Sequence, residues 1–265
     1  MRFFISDYGE FMRTLYQFPL SHFCEKARWM LDHKELEYVA HNLIPGVHRA
    51  FAMLKTGQYK LPILLDQEKW IADSTEIALY LDEVYPEHTL LKSDLKQRKE
   101  ALEINRISNE LGRHVRRWVM AHSLSENDES IDILIGEKGY LRQLEKYSKP
   151  IMKKFVSKML KLDETTTLES KKMLDDTVVL LNQKIIEQQG KYFVANQLGL
   201  ADIAVCSMLA PILEIEGTPW EKELGTHHSK EFEEFKAYLT SLPLGQYILR
   251  IYQTERNARV DWRGV

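Results

Sequence analysis

The period of the apolar positions changes along this chain, and the change divides it in two. Residues 14–18 read as a short β-run. Over 21–33, Cys24, Ala27, Met30 and Leu31 fall on one helical face while Glu25, Lys26, Arg28 and Asp32 fall elsewhere, which predicts an amphipathic helix. Residues 37–40 predict a second short strand, and 49–55 one or two helical turns closed by Thr56 and Gly57. The continuous apolar run 61–65 predicts a buried strand, 66–69 a polar turn, and 70–72 the return of a hairpin. Asp73 then opens a helix as N-cap, with Glu76 three residues on as in a capping box. Ile77, Tyr80, Leu81 and Val84 form its buried stripe, and Pro86 stops it. The order is a parallel βαβ unit, a further helix, a hairpin and a last helix.

After a linker at 86–94 the pattern is helical. Ile104, Ile107, Leu111, Val115 and Trp118 recur at spacings of three or four within 102–120. Residues 123–129 read as an acidic polar loop, 151–160 and 168–186 as amphipathic helices joined through 164–167. Residues 200–213 are apolar almost all round and predict a buried central helix. Helices at 232–239 and 247–255 close the bundle. The predicted fold is therefore an α/β domain at 11–88 followed by an all-α domain at 95–265.

Composition supports a globular chain able to bury a sizeable core: 265 residues, 44% apolar and 28% charged. A formal net charge of -3 provides no global basic field for nucleic acid. The two cysteines, Cys24 and Cys206, form neither zinc-type spacing nor a disulfide framework, so a reducing, cytoplasmic setting is expected. The histidines show no metal-ligand spacing, His227–His228 included. The first ten residues are too short and too acidic for a signal peptide. The most apolar stretch, 203–213, falls far short of the roughly 20 residues of a membrane span, so a soluble protein is expected.

Three short motifs carry candidate chemistry. In Lys60-Leu61-Pro62-Ile63, a proline stands at a strand start where it cannot donate to the ladder. A cis bond there would let the Leu61 backbone pair with an extended peptide; an edge proline without ligand is the alternative. At Asp73-Ser74, a helix N-terminus and a hydroxyl suit a carboxylate, and the Asp73 side chain suits an ammonium; the alternative is a plain helix cap. At the start of the first helix, Ser21 could hold a bound thiol as thiolate, or simply cap the helix. Cys24 sits where a CxxC oxidoreductase has its second thiol, and also on the apolar stripe, where structural cysteines are inert.

Together these motifs resemble a cytosolic glutathione S-transferase of the serine-type, bacterial-like kind. The run from Ser21 to Trp29 is similar to that family's helix-start motif, Leu61-Pro62 and Asp73-Ser74 to its glutathione-binding edge, and Leu200-Ala201-Asp202-Ile203-Ala204 to its buried helix. The resemblance implies a thioredoxin-like N-terminal domain and an all-helical C-terminal domain, a homodimer, and glutathione as co-substrate with no metal. It implies that Ser21 stabilises the thiolate, that Leu61 pairs with the cysteinyl unit beside a cis Pro62, and that Asp73 and Ser74 hold the γ-glutamyl group. His48 and Lys60 fall where some classes meet the glycyl carboxylate. The chain departs from the pattern at His22, where proline is common, and at Gly199, where a capping serine or threonine is usual. The extra length lies in 123–168.

The implied reaction is conjugation of glutathione to a small hydrophobic electrophile. The alternatives are thiol transfer or isomerisation through Cys24, and a non-enzymatic glutathione-transferase-like binding protein. His114, Arg117 and Trp118 are the candidates for the second-substrate pocket; the arginines of 113–118 could steer an anionic substrate, pair across a dimer or face water. The basic helix 153–161 reads as a core face with solvated lysines.

Overall fold

The computed structural model describes residues 13–126, 129–135, 143–221 and 228–265. The first ten residues, positions 11 and 12 of the expected first domain, 127–128 of the expected loop, and His227 lie outside them. Strand β1 (Thr14–Gln17) leads into helix α1 (His22–His33), and β2 (Val39–Asn42) returns parallel to β1. Helix α2 (Val47–Thr56) crosses to β3 (Ile63–Asp66), which pairs antiparallel with β1 and with β4 (Lys69–Ala72) before α3 (Ser74–Val84). The sheet order is β2-β1-β3-β4, a thioredoxin-like arrangement. Along β1 the alternation is strict: Leu15 and Gln17 are buried, while Tyr16 turns to the opposite face and packs on Phe51 and Trp70 with ring centroids 4.7 and 5.5 Å away.

Strand β2, predicted at 37–40, is found two residues later. Its register comes from the far end of the chain. The Val265 N–H donates to the Ala40 carbonyl and the Asn42 N–H to the Val265 carbonyl, each at 2.8 Å. The Gln17 amide donates to the Trp262 carbonyl at 3.0 Å, so residues 257–265 form a strap along the β2 edge. Gly264 carries it past the strand at φ +62°, where a Cβ would stand 2.6 Å from the Ala40 carbonyl oxygen.

The helical domain begins with α4 (Leu95–Glu126), longer at both ends than predicted. It runs through most of the stretch read as a polar loop, and α5 (Glu129–Ile135) follows. Helix α6 (Glu145–Leu160) starts before the predicted position and tolerates Pro150 inside it. Residues 164–167, read as a connection, are the first turn of α7 (Glu164–Glu187), because the Asp163 carboxylate caps the Thr166 N–H at 3.0 Å. Helix α8 (Leu200–Leu213) matches its prediction and is buried along its whole length. It packs on α4 and α1. Helices α9 (Lys230–Ser241) and α10 (Pro243–Glu255) complete the bundle. One apolar core runs through both domains, and a smaller cluster of Leu124, Ile131, Ile135, Met152, Val156 and Leu160 holds the 123–168 region together.

Gly199 caps α8 without a side chain. The Asp202 carboxylate supplies what it lacks, accepting from the Gly199 N–H at 3.0 Å, the Phe193 N–H at 2.7 Å and the Tyr247 hydroxyl at 2.5 Å. The linker explains the glycine: the Leu200 N–H donates to the Leu90 carbonyl at 2.8 Å, and a Cβ on Gly199 would lie 2.9 Å from that oxygen.

Candidate functional site

Helix α1 lies between the sheet and the helical domain, so both of its faces are buried, including the side chains the periodicity set apart from the core. Glu25 accepts from Arg28 at 2.9 Å and from Arg256 at 2.8 Å, and Asp32 accepts from Arg256 at 2.7 Å. Burial alone would raise the Glu25 pKa; the two arginines more than offset it and hold it at about 2. Such a cluster fixes α1 against the segment that leads into the C-terminal strap.

Ser21 is the N-cap of α1 and is half-buried. Its Oγ accepts from the Cys24 N–H at 3.4 Å. That bond uses an oxygen lone pair and not the hydroxyl proton, so capping and donation to a ligand are compatible. Cys24 has 0% exposure, and its Sγ accepts from the Phe18 N–H at 3.5 Å. Burial raises its thiol pKa, with the Ser21 and Phe18 contacts acting in the other direction. The sulfur of Cys24 is thus enclosed in the core with its thiol held protonated, an arrangement that fits a structural cysteine.

The second edge of the site is the turn from α2 to β3. The Leu61–Pro62 bond is cis. The ladder between β1 and β3 starts with Tyr16 opposite Ile63, which leaves the Leu61 N–H and C=O outside the pairing. Lys60 is exposed, and its backbone is held by Gln58, whose amide donates to the Lys60 carbonyl at 2.7 Å. His48 is buried at the start of α2, edge-on to Phe18, and its Nδ1 accepts from the Gly46 N–H at 3.1 Å. Burial and then the Arg49 charge lower its pKa, so the imidazole is neutral near pH 7 with the proton on Nε2, a donor.

The third edge is the start of α3. Asp73 is exposed, and its carboxylate accepts from the Thr75 N–H at 2.7 Å, one residue earlier than the capping box predicts. Its backbone stands at φ 77°, ψ 134°, a conformation that costs a non-glycine residue of order 1–3 kcal/mol. Ser74 is 1% exposed, and among the described residues its Oγ has no hydrogen-bond partner. An unpaired hydroxyl at a helix start has a donor to offer to an acceptor from outside the chain.

A polar network that the sequence did not announce supports this edge. Thr75 Oγ1 accepts from the Asn105 amide at 3.1 Å and the Asn109 amide at 3.0 Å, both from α4. Their carbonyl oxygens in turn accept from the ammonium of Lys26, at 3.1 Å for Asn109. Lys26 has 0% exposure and no carboxylate bonded to it. Burial drives its pKa from 10.5 to about 7, opposed by the charge of Asp73. The i, i+4 spacing of Asn105 and Asn109 was the available signal, hidden among the polar positions of a long helix.

The three candidates for the second-substrate pocket, His114, Arg117 and Trp118, lie on the sides of α4 that face the other helices of its domain. Trp118 is 1% exposed and stacks on Phe232 at 5.4 Å in the helical core. The Arg117 Nε donates to the Leu160 carbonyl at 2.9 Å and its Nη1 to Ser170 Oγ at 2.8 Å. His114 Nδ1 lies 3.3 Å from the same Ser170 Oγ. At about 100° per residue these positions point toward α6, α7 and α9. The side of α4 that meets α1 is instead Asn105, Asn109 and Gly112, and Arg116 follows one turn on. A Cβ on Gly112 would stand 3.0 Å from His22 Nε2 and 3.1 Å from the Phe23 ring, so glycine lets the start of α1 lie against α4. Burial, followed by the charge of Arg116, lowers the His22 pKa to about 3, so this imidazole is neutral.

Among the described residues no group of three or more His, Cys, Asp or Glu could hold a metal ion, and no helix is long and apolar enough to cross a membrane.

Residues 15–89 match the family described as glutathione S-transferase, N-terminal domain. Over 87 residues the chain is 39% identical to a protein named glutathione S-transferase 1 from Dianthus caryophyllus, covering 32% of this chain and 39% of that one. Over the same length it is 37% identical to a zeta-class glutathione S-transferase from Euphorbia esula, again covering 39% of that protein. These alignments thus span about two fifths of the curated relatives' length. The likeness of fold extends further: a glutathione S-transferase structure from Rhodospirillum rubrum F11 superposes with a TM-score of 0.56 at 21% identity, covering 94% of this chain and 96% of that one. Residues 15–89 are thus similar to a glutathione S-transferase N-terminal domain, and the chain as a whole shares the fold of glutathione S-transferase structures.

Proposed function

We propose that the protein is a glutathione S-transferase that joins the glutathione sulfur to an apolar electrophile. The observation that carries this reading is Ser74: a buried hydroxyl without a partner, at a helix start, next to a carboxylate held in a strained backbone. A γ-glutamyl head group supplies what is missing there, a carboxylate for Ser74 and the α3 N–H groups, and an ammonium for Asp73. The free backbone of Leu61 then takes the cysteinyl unit as an added strand would, and neutral His48 and exposed Lys60 face the glycyl end.

In this reading Ser21 donates its hydroxyl proton to the ligand's sulfur while keeping its cap bond to Cys24. Donation favours the thiolate, which forms a bond to the electrophilic carbon as the leaving group departs with its electron pair. Ser21 itself stays uncharged and unmodified. Donation to a charged sulfur contributes about 1.5–3 kcal/mol, so Ser21→Ala is expected to lower kcat with an aryl halide roughly 10- to 100-fold. The KM for glutathione should move much less. Turnover that survives the substitution would refute the assignment of Ser21; retention on immobilised glutathione without turnover of any electrophile would leave a binding protein in place of an enzyme.

A further inference from the structure

Arg113, Arg116 and Arg117 stand close together on α4, and two of them are committed. Arg113 pairs with Glu110 at 2.7 Å, and Arg117 ties α4 to α6 and α7. Arg116 is exposed and, among the described residues, has no hydrogen bond or ion pair. Desolvation by its surroundings and then the like charges of Arg117 and Arg113 lower its pKa.

Its position follows from the helix. Asn109, Gly112 and Arg116 rise on one side of α4; Asn109 reaches the support of Asp73-Ser74, and Gly112 touches His22 and Phe23, next to Ser21. One turn beyond Arg116 is Met120, which packs on the small apolar cluster of the 123–168 region. Phe155 of α6, also packed on that cluster, comes within 3.8 Å of a Cβ placed on Gly46, at the start of α2. The 123–168 region therefore reaches across to the N-terminal domain. Arg116 stands one helical turn from the contact of Gly112 with His22 and Phe23, its charge acts on His22, and Met120 follows one turn further on.

We infer that Arg116 is a specificity-determining residue, and that the second substrate is an apolar molecule carrying a carboxylate or similar anionic group. This rests on the transferase reading of the same site and names its substrate class. A guanidinium offers two parallel N–H donors matched to a carboxylate, and Phe23, Met120 and Phe155 provide apolar surface for the remainder of the molecule.

The test compares two aryl halides, neutral 1-chloro-2,4-dinitrobenzene and anionic 4-chloro-3,5-dinitrobenzoate, each corrected for its uncatalysed rate with glutathione. The wild type should prefer the benzoate, and in Arg116→Gln the ratio of kcat/KM for benzoate over neutral substrate should fall about 10- to 100-fold. Arg116→Lys should recover part of the ratio. A ratio that does not change overturns the inference. A second measurement needs neither glutathione nor turnover: binding of the anionic dye anilinonaphthalene sulfonate against neutral Nile red. Arg116→Gln should weaken the anionic dye selectively, and equal effects on both dyes overturn the inference. If neither halide reacts with the wild type, the transferase reading fails and the dye measurement decides the anion site alone.

Discussion

Replacing Lys26 with methionine should change how stability depends on pH, by an amount that follows from its surroundings. The ammonium is fully buried and bonded to two amide oxygens, and its pKa falls from 10.5 to about 7. Below pH 7 Lys26 is charged in both folded and unfolded chains, and the cost of burying that charge is borne in full. Between pH 7 and 10.5 the unfolded chain binds the proton and the folded chain does not, so stability rises with pH. The whole window corresponds to about 5 kcal/mol, and the part between pH 7 and 9 to about 2 kcal/mol. Methionine keeps the bulk and removes the titration. It leaves two amide oxygens unpaired, at about 1–3 kcal/mol each and independent of pH. The difference in unfolding free energy, wild type minus Lys26→Met, should therefore grow by about 2 kcal/mol from pH 7 to 9. Urea unfolding of both proteins at pH 7, 8 and 9 measures it, and the other titrating groups cancel in the difference. A difference that stays constant would mean that Lys26 titrates as an ordinary lysine, and the described burial would be refuted.

Two further substitutions separate ligand contacts from packing. Ser74→Ala removes a hydroxyl that no protein group uses, so thermal stability should hold while glutathione affinity, read by calorimetry, falls about tenfold; a loss of stability with affinity intact would contradict the reading. Gly199→Ser introduces a favoured helix cap, yet its Cβ would press on the Leu90 carbonyl at 2.9 Å. We expect a net destabilisation of about 1–3 kcal/mol, seen as a lowered Tm, and a raised Tm would show that the linker can yield.

The elements that the sequence revealed are those whose cause is local. Residues 200–213 are apolar all round, and α8 has the predicted bounds because no neighbour needs to be known to bury it. Leu61-Pro62 and Asp73-Ser74 were legible as turn and cap chemistry. The errors arise where a distant segment decides. Strand β2 takes its register from Val265, which no window around residue 40 contains. Residues 164–167 looked like a connection, but the Asp163 cap makes them helical. Asp73 at positive φ left no trace in composition, since glycine would be the usual choice. On α4 the sequence does not tell which side of 113–118 faces what: His114, Arg117 and Trp118 lie toward α7 and α9, whereas Arg116 lies a turn from Gly112.

The same contrast explains why α1 needs both domains. Read alone, it is an ordinary amphipathic helix with charges toward water. In the fold its consecutive residues are committed to different parts of the chain. Ser21 caps toward the site, His22 meets α4 at Gly112, Cys24 faces Phe18, Glu25 and Arg28 meet Arg256 and Gln17, and Lys26 reaches Asn105 and Asn109. Those partners come from β1, α4 and the last residues of the bundle. Helix α1, which Ser21 caps, is thus held by segments more than two hundred residues apart in sequence, Arg256 being 231 residues from Glu25. A thioredoxin-like domain cut from this chain would expose Lys26, Glu25 and Asp32 and release the helix that carries Ser21. The proposed edge at Leu61 and Asp73 belongs to the first domain by sequence, but Thr75 is held by α4, so even that edge is supported by the second.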